Sequence, residues 1–220
     1  MSRTTVLEAN VPQLRPAEPA PWLYRTLREP VRRALARYFD FRVEGAEHLP
    51  AAGPFILAAN HHNYLDGVVL AAASTRPISF LVMPRVWRAT PLHPFLHQGI
   101  GSIPLNVEKP DLGALRRALG ALAAGRAICI FPEGPFSVRG RLEPGLPGVG
   151  LLALRSGVPV IPAGILGTYG ALVGRRAYIP RRHPLAVRFG PARRFPRGEG
   201  RAARVDATQR IMDDIAALLA

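Results

Sequence analysis

The 220-residue sequence has one cysteine, one lysine and no apolar run approaching the ~20 residues a helix needs to cross a bilayer. With Cys129 alone, no intrachain disulfide forms, and its place in the apolar run Ala127 to Phe131 reads as a buried thiol in a reducing compartment. The opening residues, MSRTTVLEANVPQLRP, contain no apolar stretch of the signal-peptide kind, so secretion is not expected. A protein of this kind would meet a membrane peripherally, from the cytoplasmic face. Acidic residues are also scarce: 15 against 29 basic ones, a net charge of +14, which points to an anionic partner such as a lipid surface, an acidic protein or nucleic acid.

The charge is unevenly spread. Residues 171–204 hold ten arginines and one acid, net +9, including the pairs Arg175-Arg176, Arg181-Arg182 and Arg193-Arg194, which reads as one concentrated basic surface. This segment has no zinc-ligand spacing and no aromatic RNA-binding signature, so a nucleic-acid partner is not expected.

What the chain does contain is alternation of short apolar runs with helical stripes. Residues 1–21 carry four prolines and read as a loose arm. Between Pro30 and Phe41, apolar residues recur at i, i+3, i+4, i+7 and i+8 with Arg32, Arg33 and Arg37 opposite, an amphipathic basic helix that packs on the domain or lies on a membrane. Strands are expected at 41–44, 55–59, 78–82, 103–105, 127–131, 158–165 and 185–189, and helices at 65–73, 112–124, 148–156 and 205–219. Such interleaving implies an α/β fold: one domain over 41–220 with a central mixed, mostly parallel sheet flanked by helices, preceded by the arm and helix of 1–40.

Two polar clusters each follow an apolar strand, where α/β folds gather ligands. The first, Asn60-His61-His62-Asn63-Tyr64-Leu65-Asp66, offers an imidazole and a carboxylate to orient it, the pairing that removes a proton from a hydroxyl. Either histidine can serve, because His62 shares a helical face with Asp66 while His61 reaches it from a preceding turn. The second cluster, Phe131-Pro132-Glu133-Gly134-Pro135-Phe136-Ser137, turns sharply at Pro132 and Gly134 and would project the Glu133 carboxylate toward a ligand hydroxyl. Ser102 and Ser137 are weak nucleophile candidates, since neither sits in a Gly-x-Ser-x-Gly turn.

Together the clusters resemble the 1-acylglycerol-3-phosphate (lysophospholipid) acyltransferase family of the glycerol-3-phosphate acyltransferase-like superfamily. Asn60, His61 and Asp66 match its Asn-His-x4-Asp motif, Phe131 to Gly134 its Phe-Pro-Glu-Gly motif, and Val158, Pro159, Val160 and Pro162 its Val-Pro-Val-x-Pro segment. The resemblance implies acyl transfer from a thioester, on acyl carrier protein or coenzyme A, to a lipid hydroxyl, with no metal and no further cofactor. It selects His61 as general base with Asp66, and assigns Asn60, Phe131, Pro132, Glu133, Gly134 and Pro162 to substrate binding.

The sequence departs from the family where two arginines are associated with the acceptor's phosphate: Val107 and Phe136 stand there instead. Apolar side chains make no bidentate phosphate contact. Either Arg139, Arg141 or Arg85 substitutes, or the acceptor is a lipid without a phosphomonoester.

Overall fold

A computed structural model describes residues 22–83, 86, 91, 93–105, 111–172 and 180–220. In chain order the elements are α1 (Trp22–Phe39), β1 (Phe41–Glu44), a 3-10 turn (Ala46–His48), β2 (Phe55–Ala59), α2 (Leu65–Ala73), β3 (Ile78–Val82) and α3 (His93–Gly99). There follow β4 (Ile103–Pro104), α4 (Leu112–Ala123), β5 (Ala127–Ile130), α5 (Gly148–Ser156), β6 (Val160–Leu166), α6 (Thr168–Ala171), β7 (Leu185–Phe189) and α7 (Arg201–Leu219).

The strands form one sheet in the order β1-β7-β6-β2-β5-β3-β4. From β6 to β4 all pairings are parallel; β7 runs antiparallel to β6 and parallel to β1. This is the expected mixed, mostly parallel sheet. The central strands are apolar throughout because both faces are covered: Phe55, Leu57 and Ala59 enter the core beneath α1 and α2, while Ile56 and Ala58 enter the core beneath α4, α5 and α7. The carboxyl ends of β2, β5 and β6 therefore share one edge of the sheet, and β7 starts from that same edge.

Helix α4 begins where expected because the Asp111 Oδ1 accepts the Ala114 N–H at 2.7 Å, an N-cap. Helix α1 is longer than its periodicity suggested: it starts at Trp22 and carries Pro30 inside. Proline removes one ladder bond, but Leu23 and Tyr24 before it, and Leu35 and Phe39 after it, are all buried, and that packing holds both halves in one helix. Helix α1 is thus part of the packed domain.

Among its described residues, the arginine-rich segment does not form one surface. Arg182 donates to the carbonyls of Tyr38 (3.2 Å) and Arg37 (3.5 Å) at the end of α1. Arg188 does the same for Leu218 (3.1 Å) and Ala220 (2.9 Å) at the end of α7, where cations suit the helix dipole. Arg193 grips Asp214 through two bonds, of 2.5 and 2.7 Å. Strand β7 then separates what remains: Arg181 and His183 precede it, whereas Arg194 and Arg197 follow it at the opposite end of the sheet, beside the start of β6, and Arg201 and Arg204 belong to the first turn of α7. Arg175 and Arg176 lie outside the described residues.

Candidate active site

The loop that carries His61 is built onto the end of β2. Asn60 continues the strand with its side chain: the carboxamide donates to the Ile165 carbonyl at 2.9 Å and accepts the Ile165 N–H at 2.7 Å, imitating a ladder pair with β6. Asn63 adds a second clasp, donating to the Thr168 carbonyl at 2.8 Å. Between them, the main chain of His61 is held from the β5 side: its N–H donates to Glu133 Oε1 at 2.7 Å and its carbonyl accepts the Ser137 N–H at 2.8 Å.

The structure chooses between the two histidines. His61 Nδ1 lies 2.9 Å from Asp66 Oδ2, and the same oxygen accepts the backbone N–H groups of His62 at 2.5 Å and Asn63 at 2.8 Å. His62 thus meets Asp66 only through its main chain, while its ring turns to Thr168 Oγ1 (3.5 Å) and Tyr169. Burial holds the His62 imidazole below its ordinary pKa, so it stays neutral at neutral pH.

The His61 ring is fixed by aromatics. Phe131 stacks on it with centroids 3.8 Å apart, Phe136 meets it edge-on at 4.4 Å, and Tyr64 meets Phe136 at 4.8 Å. With Nδ1 engaged by Asp66, Nε2 is the nitrogen left for a substrate. The ring borders an apolar cavity of about 320 Å³, walled by Tyr24, Leu27, Arg28 and Val31 of α1, by α2, and by residues on and around β3, α3 and β4. Periodicity read only from Pro30 onward missed this wall, although Leu23, Leu27 and Val31 continue the same stripe toward the N-terminus.

Other expected site residues divide into those that reach the cavity and those that do not. Phe131 and Gly134 line it beside His61. Asn60 does not; its polar atoms are both engaged by β6. Glu133, 4% exposed, also turns away, its Oε2 accepting the Glu143 N–H at 2.7 Å while Oε1 holds His61, so its contacts are with backbone, not with a ligand hydroxyl. Burial pushes this carboxyl up to about 7, against the lowering effect of its two amide donors. Pro132 is buried, its carbonyl accepting the Leu146 N–H, and Pro162 sits within β6 opposite Ala58, inside the sheet.

The guanidiniums of Arg139 and Arg141 stand exposed, each 3.9 Å from Glu143, and neither lines the cavity. Arg85 and Val107 lie outside the described residues. Ser102 borders the cavity 3.2 Å from His97 Nδ1. Among the described residues, no cluster of three or more His, Cys, Asp or Glu side chains is placed to hold a metal, and no helix is long and apolar enough to cross a membrane.

With this geometry established, three comparisons are informative. Residues 40–166 match the family model described as Acyltransferase. Over 134 residues, 60% of this chain, the sequence is 28% identical to chloroplastic 1-acyl-sn-glycerol-3-phosphate acyltransferases of Brassica napus and Arabidopsis thaliana, spanning 38% and 37% of those proteins. The fold matches the crystal structure of the 1-acyl-sn-glycerophosphate acyltransferase PlsC from Thermotoga maritima with a TM-score of 0.70 at 22% identity, covering 89% of this chain and 79% of that one.

Proposed function

The chain belongs to the acyltransferase family, and from that premise we propose that it moves an acyl group from a thioester to the hydroxyl of a lipid acceptor of the 1-acylglycerol-3-phosphate type. One observation carries the proposal: the His61 Nδ1 to Asp66 Oδ2 contact of 2.9 Å, at the mouth of an apolar cavity. Asp66 holds the Nδ1–H tautomer, so Nε2 is the base that takes the hydroxyl proton as the acceptor oxygen attacks the thioester carbonyl. Collapse of the tetrahedral intermediate breaks the C–S bond, and the imidazolium returns its proton to the departing thiolate. The new ester and a free thiol are the products, and no acyl-enzyme forms. The apolar cavity accommodates an acyl chain.

Approach to the lipid is by the α1, α2 and α3 face. Trp22, Leu27, Tyr64, Val68 and Phe95 are all more than 40% exposed there, Leu27, Tyr64 and Val68 on the rim of the cavity. Exposed Arg25 and Arg32 of α1 flank them, an aromatic and basic combination suited to an anionic membrane surface.

The test is thioester consumption with His61→Ala as the paired measurement. Loss of transfer by roughly 10² to 10⁴ is expected; an unchanged rate would sink the assignment. A second reading, transfer to a lipid without a phosphomonoester, is favoured by Phe136, whose ring packs 4.4 Å from His61 at a place with no phosphate-binding capacity. Comparing lysophosphatidate with an uncharged monoacyl lipid as acceptors separates the two.

A further inference from the structure

Resting on the acyl-transfer reading, we infer that a basic rim beside the His61 mouth, formed by Arg139 and Arg141 of the loop after β5 with Arg181 and His183 ahead of β7, docks an acidic carrier protein that bears the thioester. The rim is continuous through α6. Tyr169 donates to the Val138 carbonyl at 3.3 Å, and a Cβ on Gly140 would meet its ring at 2.6 Å. Next to it, a Cβ on Gly170 would meet His183 at 2.6 Å, and the Arg181 N–H donates to the Ala171 carbonyl at 2.6 Å.

The same rim is anchored to the catalytic loop. The Ser137 N–H bonds the His61 carbonyl, and Thr168 and Tyr169 face the His62 ring. Arg139 lies three residues from Phe136, hence within about 10 Å of a residue touching the His61 ring. Among the described residues, the acid in contact with the loop arginines is Glu143.

Three features favour a protein over a nucleotide or the bilayer. The guanidiniums of Arg139 and Arg141 are 63% and 64% exposed, whereas a nucleotide is held in a concave site. The charges are spread over two separate loops, matching an extended acidic surface. And the aromatic face on α1 to α3, where the bilayer would lie, is built from other residues than the rim. Electrostatic complementarity of this kind speeds encounter and is weakened by salt.

The experiment compares two charge-reversed doubles with the same change in net charge. Arg139→Glu with Arg181→Glu alters the rim; Arg194→Glu with Arg197→Glu alters exposed arginines at the opposite end of the sheet. With acyl-carrier protein as donor, the rim double should raise the donor KM by at least about tenfold, leave kcat at saturating donor unchanged, and lose its defect as salt is raised. The far double should leave the donor KM at the wild-type value, and Arg139→Lys with Arg181→Lys should restore it.

The inference is overturned if both doubles behave alike, if the rim double raises the KM for acyl-coenzyme A as much as for the carrier, or if it instead abolishes co-sedimentation with anionic vesicles at an unchanged donor KM. Should the wild-type protein transfer acyl groups from neither donor, the acyl-transfer reading itself has failed, an outcome distinct from all of these.

Discussion

The loops after β2 and β5 leave neighbouring parallel strands at the same edge of the sheet, and each brings a buried carboxylate toward His61. Asp66 receives the ring of His61 and two backbone N–H groups on one oxygen. Glu133 receives two backbone N–H groups, one on each oxygen, and no side chain. One carboxylate therefore binds the imidazole and the other holds the loop that carries it. Position at a strand end is shared; the identity of the hydrogen-bond donors separates the roles.

Breaking the first carboxylate should have the largest effect. In Asp66→Asn the amide oxygen can still accept the three donors, but the negative charge that steadies the His61 imidazolium is lost, and kcat is expected to fall by about 10² or more with the fold retained. Steady-state rates on protein checked by circular dichroism measure this; an unchanged kcat would return Asp66 to the scaffold beside Glu133. Next in size is Asn60→Ala, which orphans the Ile165 N–H and carbonyl in a fully buried place. A loss of about 2–4 kcal/mol in urea denaturation is expected.

Glu133→Gln sets one NH2 against a backbone N–H and should cost about 1–3 kcal/mol. Its pH dependence sharpens the contrast. The folded protein binds a proton at Glu133 between the ordinary value of 4.5 and about 7, where the unfolded chain has released it. This contribution to stability is complete below 4.5 and is lost as pH rises through about 7. The stability deficit of Glu133→Gln relative to wild type should therefore narrow on going from acid to mildly alkaline pH; a deficit constant with pH would show that Glu133 titrates normally. The smallest effect belongs to Thr168→Val, which removes only the 3.5 Å contact with His62 and should change stability by less than about 0.5 kcal/mol.

Much of the framework was legible from residue pattern. Strands β1, β2, β3 and β7 and helices α2 and α5 begin and end where the apolar runs and stripes do, because burial on both faces makes β2 apolar at every position while one-sided burial makes β1 and β7 alternate. The 3-10 turn at Ala46–His48 and the short helices α3 and α6 were not legible, having too few residues to show a stripe. The first half of α1 is not legible in the same way, because Pro30 reads as a helix start; burial of Leu23 and Tyr24 outweighs the missing ladder bond. Of the expected site residues, His61, Phe131 and Gly134 line one cavity and Asp66 bonds the His61 ring. Asn60, Glu133 and Pro162 were read as ligand contacts, yet the first two bond backbone and the last lies within the sheet.

The amino-acid sequence by itself determined the α/β alternation, the pairing of an imidazole with a carboxylate after an apolar strand, and the excess of arginine. Periodicity and composition suffice for these, since they depend on local spacing. Only the tertiary structure decided that one oxygen of Asp66 takes the ring of His61 and the main chain of His62, that Glu133 holds backbone 72 positions away, and that a contiguous arginine segment is divided between two ends of the sheet. Those outcomes turn on hydrogen-bond direction and on strand order, which bring together groups far apart along the chain, and no spacing within one segment encodes them.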